Sequence, residues 1–150
     1  MNVLRQNTDY AIRVMANMAN RYNKEPVSAR VLSKQDDISY QFACKILQQL
    51  NKAGLVTSSM GPKGGFQLSS PPSRINLLEI IGAIQGPLIL NHCLLGEDAC
   101  PRQISCSVTD KLKELQIYID SYLRKITLEE LLHKKRSKVK RQKLKAKRRS

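Results

Sequence analysis

Three of the chain's four cysteines, Cys93, Cys100 and Cys106, fall within fourteen consecutive positions of the run H-C-L-L-G-E-D-A-C-P-R-Q-I-S-C that begins at His92. Thiolates are soft ligands for zinc and for iron-sulfur clusters, and a low-pKa thiolate is also a redox nucleophile, so this density reads as metal or thiol chemistry. Gly96 and Pro101 punctuate the stretch, which lets sulfurs separated by six and five residues converge without a helix or strand dictating their directions. No paired C-x-x-C of the zinc-ribbon kind occurs, so the spacing alone does not name a metal. The bland alternative is three small buried hydrophobes. Catalysis has little to work with: His92 and His133 are the only histidines and no nucleophile-base pair or acid pair presents itself, so the chain reads as a binding protein and not an enzyme.

The surroundings are those of one globular domain with an appendage, since 150 residues suffice to bury a real core. No stretch approaches the roughly 18 apolar residues of a membrane span, and the start has no signal-peptide core, so the expected location is cytoplasmic with no membrane partner. In a reducing cytosol the cysteines are expected as ligands or thiols rather than disulfides. The net charge of +14 is misleading as a whole-chain number. Eleven of the 26 Lys and Arg side chains, and no acid, lie in residues 134–150, which leaves only +3 for residues 1–133. The segment 134–150 has too few apolar residues for a core, reads as disordered in isolation, and fits either a nonspecific phosphate contact or a solubilising extension.

The elements that must position the cysteines can be read from periodicity. Residues 8–22 carry Ala11, Ile12, Met15, Met18, Ala19 and Tyr22 on one helical face, with Thr8 or Asp9 as the expected cap. Ser28 caps a short helix that turns Val31 and Leu32 inward. Ser39 caps the next, which buries Ala43, Ile46, Leu47 and Leu50 and ends at Gly54. That second helix presents a polar stripe of Gln41, Cys44, Lys45, Gln48 and Lys52. Two helices joined by a tight turn fit a helix-turn-helix, in which glutamine can read adenine and lysine can reach guanine or phosphate, although a solvated face would look the same. Leu55–Ser59 and Phe66–Ser69 then read as strands joined by G-P-K-G-G, a β-hairpin wing with Lys63 at its tip. No G-K-[ST] follows the glycines, which counts against a nucleotide loop. Asn76 caps an apolar helix over Leu77, Leu78, Ile80, Ile81 and Ile84, closed by Gly86-Pro87. Beyond the cysteines, Val108, Leu112, Leu115, Ile119, Tyr122 and Ile126 alternate by four and three, the spacing of a coiled-coil seam on a helix of about 30 Å. A partner helix or the chain's own domain could cover it. T-L-E-E at Thr127 to Glu130 is a capping-box pattern restarting a short helix through Leu131 and Leu132, and His133 reads as a surface residue.

The runs K-I-L-Q-Q-L-N-K-A-G-L-V, G-P-K-G-G-F-Q-L and L-L-E-I-I-G-A-I-Q-G occur in the order in which this chain resembles the Rrf-type winged-helix regulators typified by IscR, NsrR and RirA, with coverage from about Leu4 to about Leu132. The resemblance implies a mainly α fold with a small β-hairpin wing, a winged helix-turn-helix plus a long dimerisation helix, and a homodimeric bacterial transcription factor. It implies a 2Fe-2S or 4Fe-4S iron-sulfur cluster on Cys93, Cys100 and Cys106. At the cluster the chain is most similar to the NsrR-like members, in which an aspartate of the partner subunit is the fourth ligand; Asp9, in N-T-D-Y, is the matching residue. IscR carries a histidine three residues after its last cysteine, and Thr109 stands there instead. Met60 stands where relatives often have an arginine that enters the minor groove, so either Lys63 carries that contact or the wing binds more weakly.

These readings divide the chain into a winged helix-turn-helix DNA-binding region (1–86), a cysteine loop (87–106), a dimerisation helix with a short C-terminal helix (107–133) and a basic tail (134–150). The expected DNA contacts are Ser39, Tyr40, Gln41, Lys45, Gln48, Lys52, Pro62, Lys63 and Gly64, made to a double-stranded operator. The expected function is a transcriptional regulator, a repressor by resemblance, whose DNA affinity is set by the cluster in response to nitric oxide, iron or cluster status, or oxidants. Two rivals stay open: a cluster-free or zinc-bound regulator sensing thiol chemistry, and an RNA-associated protein using the basic tail.

Overall fold

The structure, a computed structural model, describes residues 3–96 and 99–132. Among the described residues α1 (Gln6–Ala19), α2 (Ala29–Asp36), α3 (Tyr40–Lys52), β1 (Val56–Ser59), β2 (Gly65–Leu68), α4 (Leu77–Gln85) and α5 (Ser107–Lys125) follow each other, with short 3-10 turns in the connections and a short helical stretch at 128–132 after α5. This is the mainly helical architecture with a two-stranded wing that the sequence predicts. Its core gathers Val14 and Met15 of α1, Leu32 of α2, Ile46, Leu47 and Leu50 of α3, Val56 of β1 and Ile80 of α4, all at most 1% exposed. Each such burial contributes roughly 1.5–3 kcal/mol.

Local signals fix most of the boundaries. Ser28 accepts from the Val31 amide and Ser39 from the Phe42 amide, so both caps of the helix-turn-helix form as read. Each supplies a partner to an otherwise unpaired backbone donor and stabilises its helix by about 1 kcal/mol. Gly54 takes φ +76° just past α3, the left-handed conformation that ends a helix cheaply only without a Cβ. Asn76 and Glu79 exchange hydrogen bonds as a full capping box, which opens α4.

The reading of α1 requires correction. The helix begins at Gln6 with Arg5 preceding it, and neither Thr8 nor Asp9 caps it. Thr8 is fully buried, and its hydroxyl donates to Gln85 Oε1 at 2.7 Å. Gln85 also accepts from the Arg5 amide and donates to the Val3 carbonyl, stapling the start of α1 to the end of α4. Val31 is likewise 40% exposed while Leu32 alone of that pair is buried, because an eight-residue helix presents a narrow stripe to the core.

The wing pairs Val56 with Leu68 through Ser59 with Gly65, so β1 starts one residue later than expected and β2 is shifted one residue towards the turn. Its base is held from three sides. Asn51 at the end of α3 donates to Ser58, Ser69 donates to the Gly54 carbonyl, and Val27 bridges to Phe66 through two backbone hydrogen bonds of 2.9 and 2.8 Å. A Cβ on Gly65 would lie 2.6 Å from the Val27 carbonyl oxygen, so this bridge requires glycine there.

After α5 the chain returns to the head. Leu77 donates to the Ile126 carbonyl and Leu128 to the Ile75 carbonyl, Thr127 caps the following turn by accepting from the Glu130 amide, and Leu128 is fully buried. The core formed by the helix-turn-helix and wing is thus completed by residues over forty positions beyond α4. Among the described residues no helix is long and apolar enough to cross a membrane. His133 and the basic segment 134–150 lie outside the described residues.

Candidate nucleic-acid interface and cysteine loop

Helix α3 divides cleanly. Ala43, Ile46, Leu47 and Leu50 are buried, whereas Ser39, Tyr40, Gln41, Lys45, Gln48 and Lys52 are exposed or half-buried on the other side. Since α2 and the wing both anchor to α3, these side chains form one outward face with Pro62 and Lys63 displayed at the tip of the neighbouring hairpin. Met60 is fully exposed at the same tip. Gly64 is half-buried, and a Cβ there would collide with the Ser59 carbonyl, so its place in the wing is structural. Cys44 departs from the expected outward stripe. It is half-buried against the core, and its interaction with the Tyr40 hydroxyl one turn earlier holds the phenol above its ordinary pKa. Arg30 of α2 stacks on the Tyr40 ring at 5.3 Å, fixing it at the opening of α3.

The cysteine loop is built differently. Cys93, Cys100 and Cys106 are free thiols, all half-buried, and among the described residues no three Cys, His, Asp or Glu side chains lie close enough to hold a metal ion. The donor chemistry suits a thiophilic metal, but in the single chain the sulfurs are not gathered into a coordination site. Two amides hold the loop together and to α5. Gln116 donates to the Leu88 carbonyl at 2.7 Å and accepts from the Leu90 amide at 3.0 Å, and Gln103 donates to the Cys93 carbonyl at 2.9 Å. Sequence patterns give no sign of either role, because both depend on contacts ten or more residues away.

Cys106 immediately precedes α5, where unpaired backbone donors converge. The Thr109 amide, then the Thr109 hydroxyl, then the Val108 amide stabilise its thiolate and lower its pKa, opposed by partial burial and Asp110. Thr109, only 2% exposed, therefore serves the position where the resemblance marks a missing histidine: it supports the sulfur. Asp9 is exposed and ion-paired with Arg13 at 2.9 Å. It would have to leave that exposed, weak pair to serve any other partner.

The expected seam on α5 splits across two faces. Leu112, Ile119 and Ile126 are half-buried on the side that packs on the chain's own α4, whereas Val108, Leu115 and Tyr122 are exposed. Tyr118, absent from the expected seam, stacks on Tyr122 with ring centroids 6.5 Å apart and is 68% exposed. Val108, Leu115, Tyr118 and Tyr122 recur at helical spacing and leave one apolar stripe facing outward.

Comparison with known proteins places this geometry. An HTH-type transcriptional regulator of Haemophilus influenzae is 34% identical over 129 residues, covering 86% of this chain and 85% of its own length. The regulator IscR of Vibrio atlanticus is 32% identical over 123 residues, 82% of this chain and 70% of that one. The solved structure of CymR, the global cysteine regulator of Bacillus subtilis, superposes with a TM-score of 0.66 at 26% identity, over 89% of this chain and 98% of the other. These relatives are transcriptional regulators and not enzymes. The Rrf2 family profile, described as iron-dependent transcriptional regulator, matches residues 4–134, and the chain belongs to that family.

Proposed function

We propose that this regulator binds operator DNA as a homodimer, reads sequence with α3, and adjusts its affinity through the cysteine loop. The observation that carries the reading is the outward face of Tyr40, Gln41, Lys45, Gln48 and Lys52, backed by a fully packed core and flanked by the wing. A 13-residue helix spans roughly 20 Å, enough to lay its first turns in a major groove of about 12 Å width. The outward stripe Val108, Leu115, Tyr118 and Tyr122 supports a two-fold pairing of α5 helices, because a monomer leaving it in water forgoes roughly 25 cal/mol for each Å² of apolar surface. Selection of duplexes from a random library tests this. A pseudo-palindromic site should be enriched, with half-sites spaced by whole helical turns; a pool without a common motif defeats the assignment.

For the sensor, the favoured reading is an iron-sulfur cluster, 2Fe-2S or 4Fe-4S, with Cys93, Cys100 and Cys106 as the thiolate donors and the partner subunit's Asp9 as the fourth. The family's iron-dependent description supports it. Binding would require the loop to gather sulfurs that the single chain leaves apart. Protein purified without oxygen should be brown with visible absorption, and Cys100→Ala should be colourless. The second reading has its own observation: Cys106, with its thiolate held by Thr109 at the head of α5, is placed for thiol redox chemistry. A colourless wild-type protein whose operator affinity changes on thiol oxidation would select it. Under the cluster reading, cluster-loaded protein, a repressor, should bind operator more tightly than cluster-free protein at one fixed salt concentration. Affinities agreeing within about twofold, well under 1 kcal/mol, would make the loop structural.

A further inference from the structure

We propose that Arg30 and Tyr40 together clamp one backbone phosphate of the duplex at the opening of α3, with the Arg30 guanidinium as the contact and the Tyr40 ring as its positioning residue. The inference rests on the assignment of α3 as the reading helix and deepens it, because it names a side chain of α2 that fixes where α3 lies along the groove. The two residues are ten positions apart but meet across the turn between the helices, the guanidinium carbon of Arg30 standing 5.3 Å from the centre of the Tyr40 ring. The ring is held at two points, since its hydroxyl interacts with Cys44 one turn further along α3 and its face is covered by Arg30. Tyr40 is nevertheless 50% exposed, and Arg30 is exposed. The pair therefore sits at the surface, at the first residue of the helix that presents Gln41, Lys45 and Gln48.

The guanidinium is arranged for an anion that the chain itself does not supply. Stacking occupies the face of the group and leaves its N–H donors, which lie in its plane, free of the ring. Among the described residues the ion pairs are Arg13 with Asp9 and Lys111 with Glu114, and neither involves Arg30. Lys34 is exposed one turn further along α2, a like charge at i, i+4 that raises the local positive potential without neutralising it. A phosphate diester fits this arrangement because it accepts two parallel N–H bonds from a guanidinium. Holding the guanidinium against a ring before DNA arrives also lowers the entropy that the contact costs. The edge of a guanine is the other acceptor pair open to arginine. In helix-turn-helix docking, however, the first helix crosses the backbone while the second enters the major groove, so a side chain of α2 meets phosphate rather than base.

The test uses the full-length chain and compares wild type with Arg30→Ala, Arg30→Lys, Tyr40→Phe and Tyr40→Leu, surface changes that leave the buried Leu32, Leu47 and Leu50 untouched. The probes are an operator duplex selected from the random library and a random duplex of equal length. Arg30→Ala should weaken binding to both by about tenfold, the scale of one charge-assisted hydrogen bond. Its slope of log affinity against log salt should be shallower by about 0.9, the value for one phosphate. Arg30→Lys should keep the slope and recover only part of the affinity, because an ammonium carries the charge without the fork. Tyr40→Phe should bind as wild type does, whereas Tyr40→Leu should bind more weakly at an unchanged slope, since the charge remains and its support is gone. A single neutral methylphosphonate, moved along the operator, should reveal one position at which wild type loses about tenfold and Arg30→Ala loses nothing further. The absence of any such position would overturn the proposal. So would an altered preference among operator base pairs in Arg30→Ala, which would make Arg30 a base reader, and so would equal losses in Tyr40→Phe and Tyr40→Leu, which would mean that the hydroxyl acts and not the ring. If wild type itself does not prefer operator to random DNA, the assignment of α3 fails instead, and the clamp stands or falls with the change of about 0.9 in slope on random duplex.

Discussion

The reading head and the cysteine loop are adjacent in sequence yet are organised by opposite means. In the head, both helix caps form, the apolar face of α3 is fully buried and the wing is tied by hydrogen bonds to α3 and to Val27 just before α2, so a single chain presents a finished surface. In the loop, three half-buried thiols sit on short turns, held by two glutamine amides, and the adjoining helix turns an apolar stripe outward. Under the proposed function the difference has a physical reason: a surface that fits the groove of a duplex gains from being built rigidly, whereas a region that responds to a ligand or a partner leaves some of its interactions unmade in the isolated chain.

This contrast can be broken most directly at α5. Leu115→Glu with Tyr122→Glu places like charges on the exposed stripe, and sedimentation should show a monomer at micromolar concentration with the head still folded; a persistent dimer would place the interface elsewhere. The next largest effect belongs to the head. Leu47→Ala should cost about 2–5 kcal/mol in denaturant unfolding, because the site is fully enclosed and cannot collapse freely. Gln41→Ala or Gln48→Ala should leave stability unchanged and reduce discrimination between operator and random DNA by about 1–3 kcal/mol for each bidentate base pairing that is broken. Unchanged ratios would show that α3 does not read bases. Ser39→Ala should cost about 1 kcal/mol of stability, the worth of a cap.

The smallest effect concerns the cluster-free loop. Cys106 has its pKa lowered in the fold, so its thiolate forms at lower pH than that of an unstructured cysteine, and the associated stabilisation is present above the ordinary thiol pKa and lost as pH falls through the lowered one. Alkylation of Cys106 in the absence of metal should therefore begin at lower pH than alkylation of the unfolded chain. Thr109→Val should move that profile back upward by removing the hydroxyl donor while the backbone donors remain. Identical profiles would mean that the hydroxyl does not support the sulfur.

Much of the head was legible residue by residue. Ser28, Ser39, Asn76, Gly54 and Gly86 mark element ends because capping and left-handed turns are satisfied within a few positions of the chain. The buried and exposed faces of α3 follow from a 3.6-residue period that the sequence carries by itself. Other features were settled only by tertiary structure. Thr8 looks like a cap until Gln85, 77 positions away, claims its hydroxyl. Leu128 belongs to the head's core although its sequence neighbours belong to the end of α5. The alternation of Val108 to Ile126 defines a helix with two apolar edges, and only the packing of α5 on α4 decides which edge the chain covers itself and which, widened by Tyr118, it leaves outward. The same holds for the cysteines. Their spacing determines that three thiols share one loop, but whether the sulfurs meet depends on how Gln103 and Gln116 hold that loop and on what else binds there, since a loop has no internal period to direct its side chains.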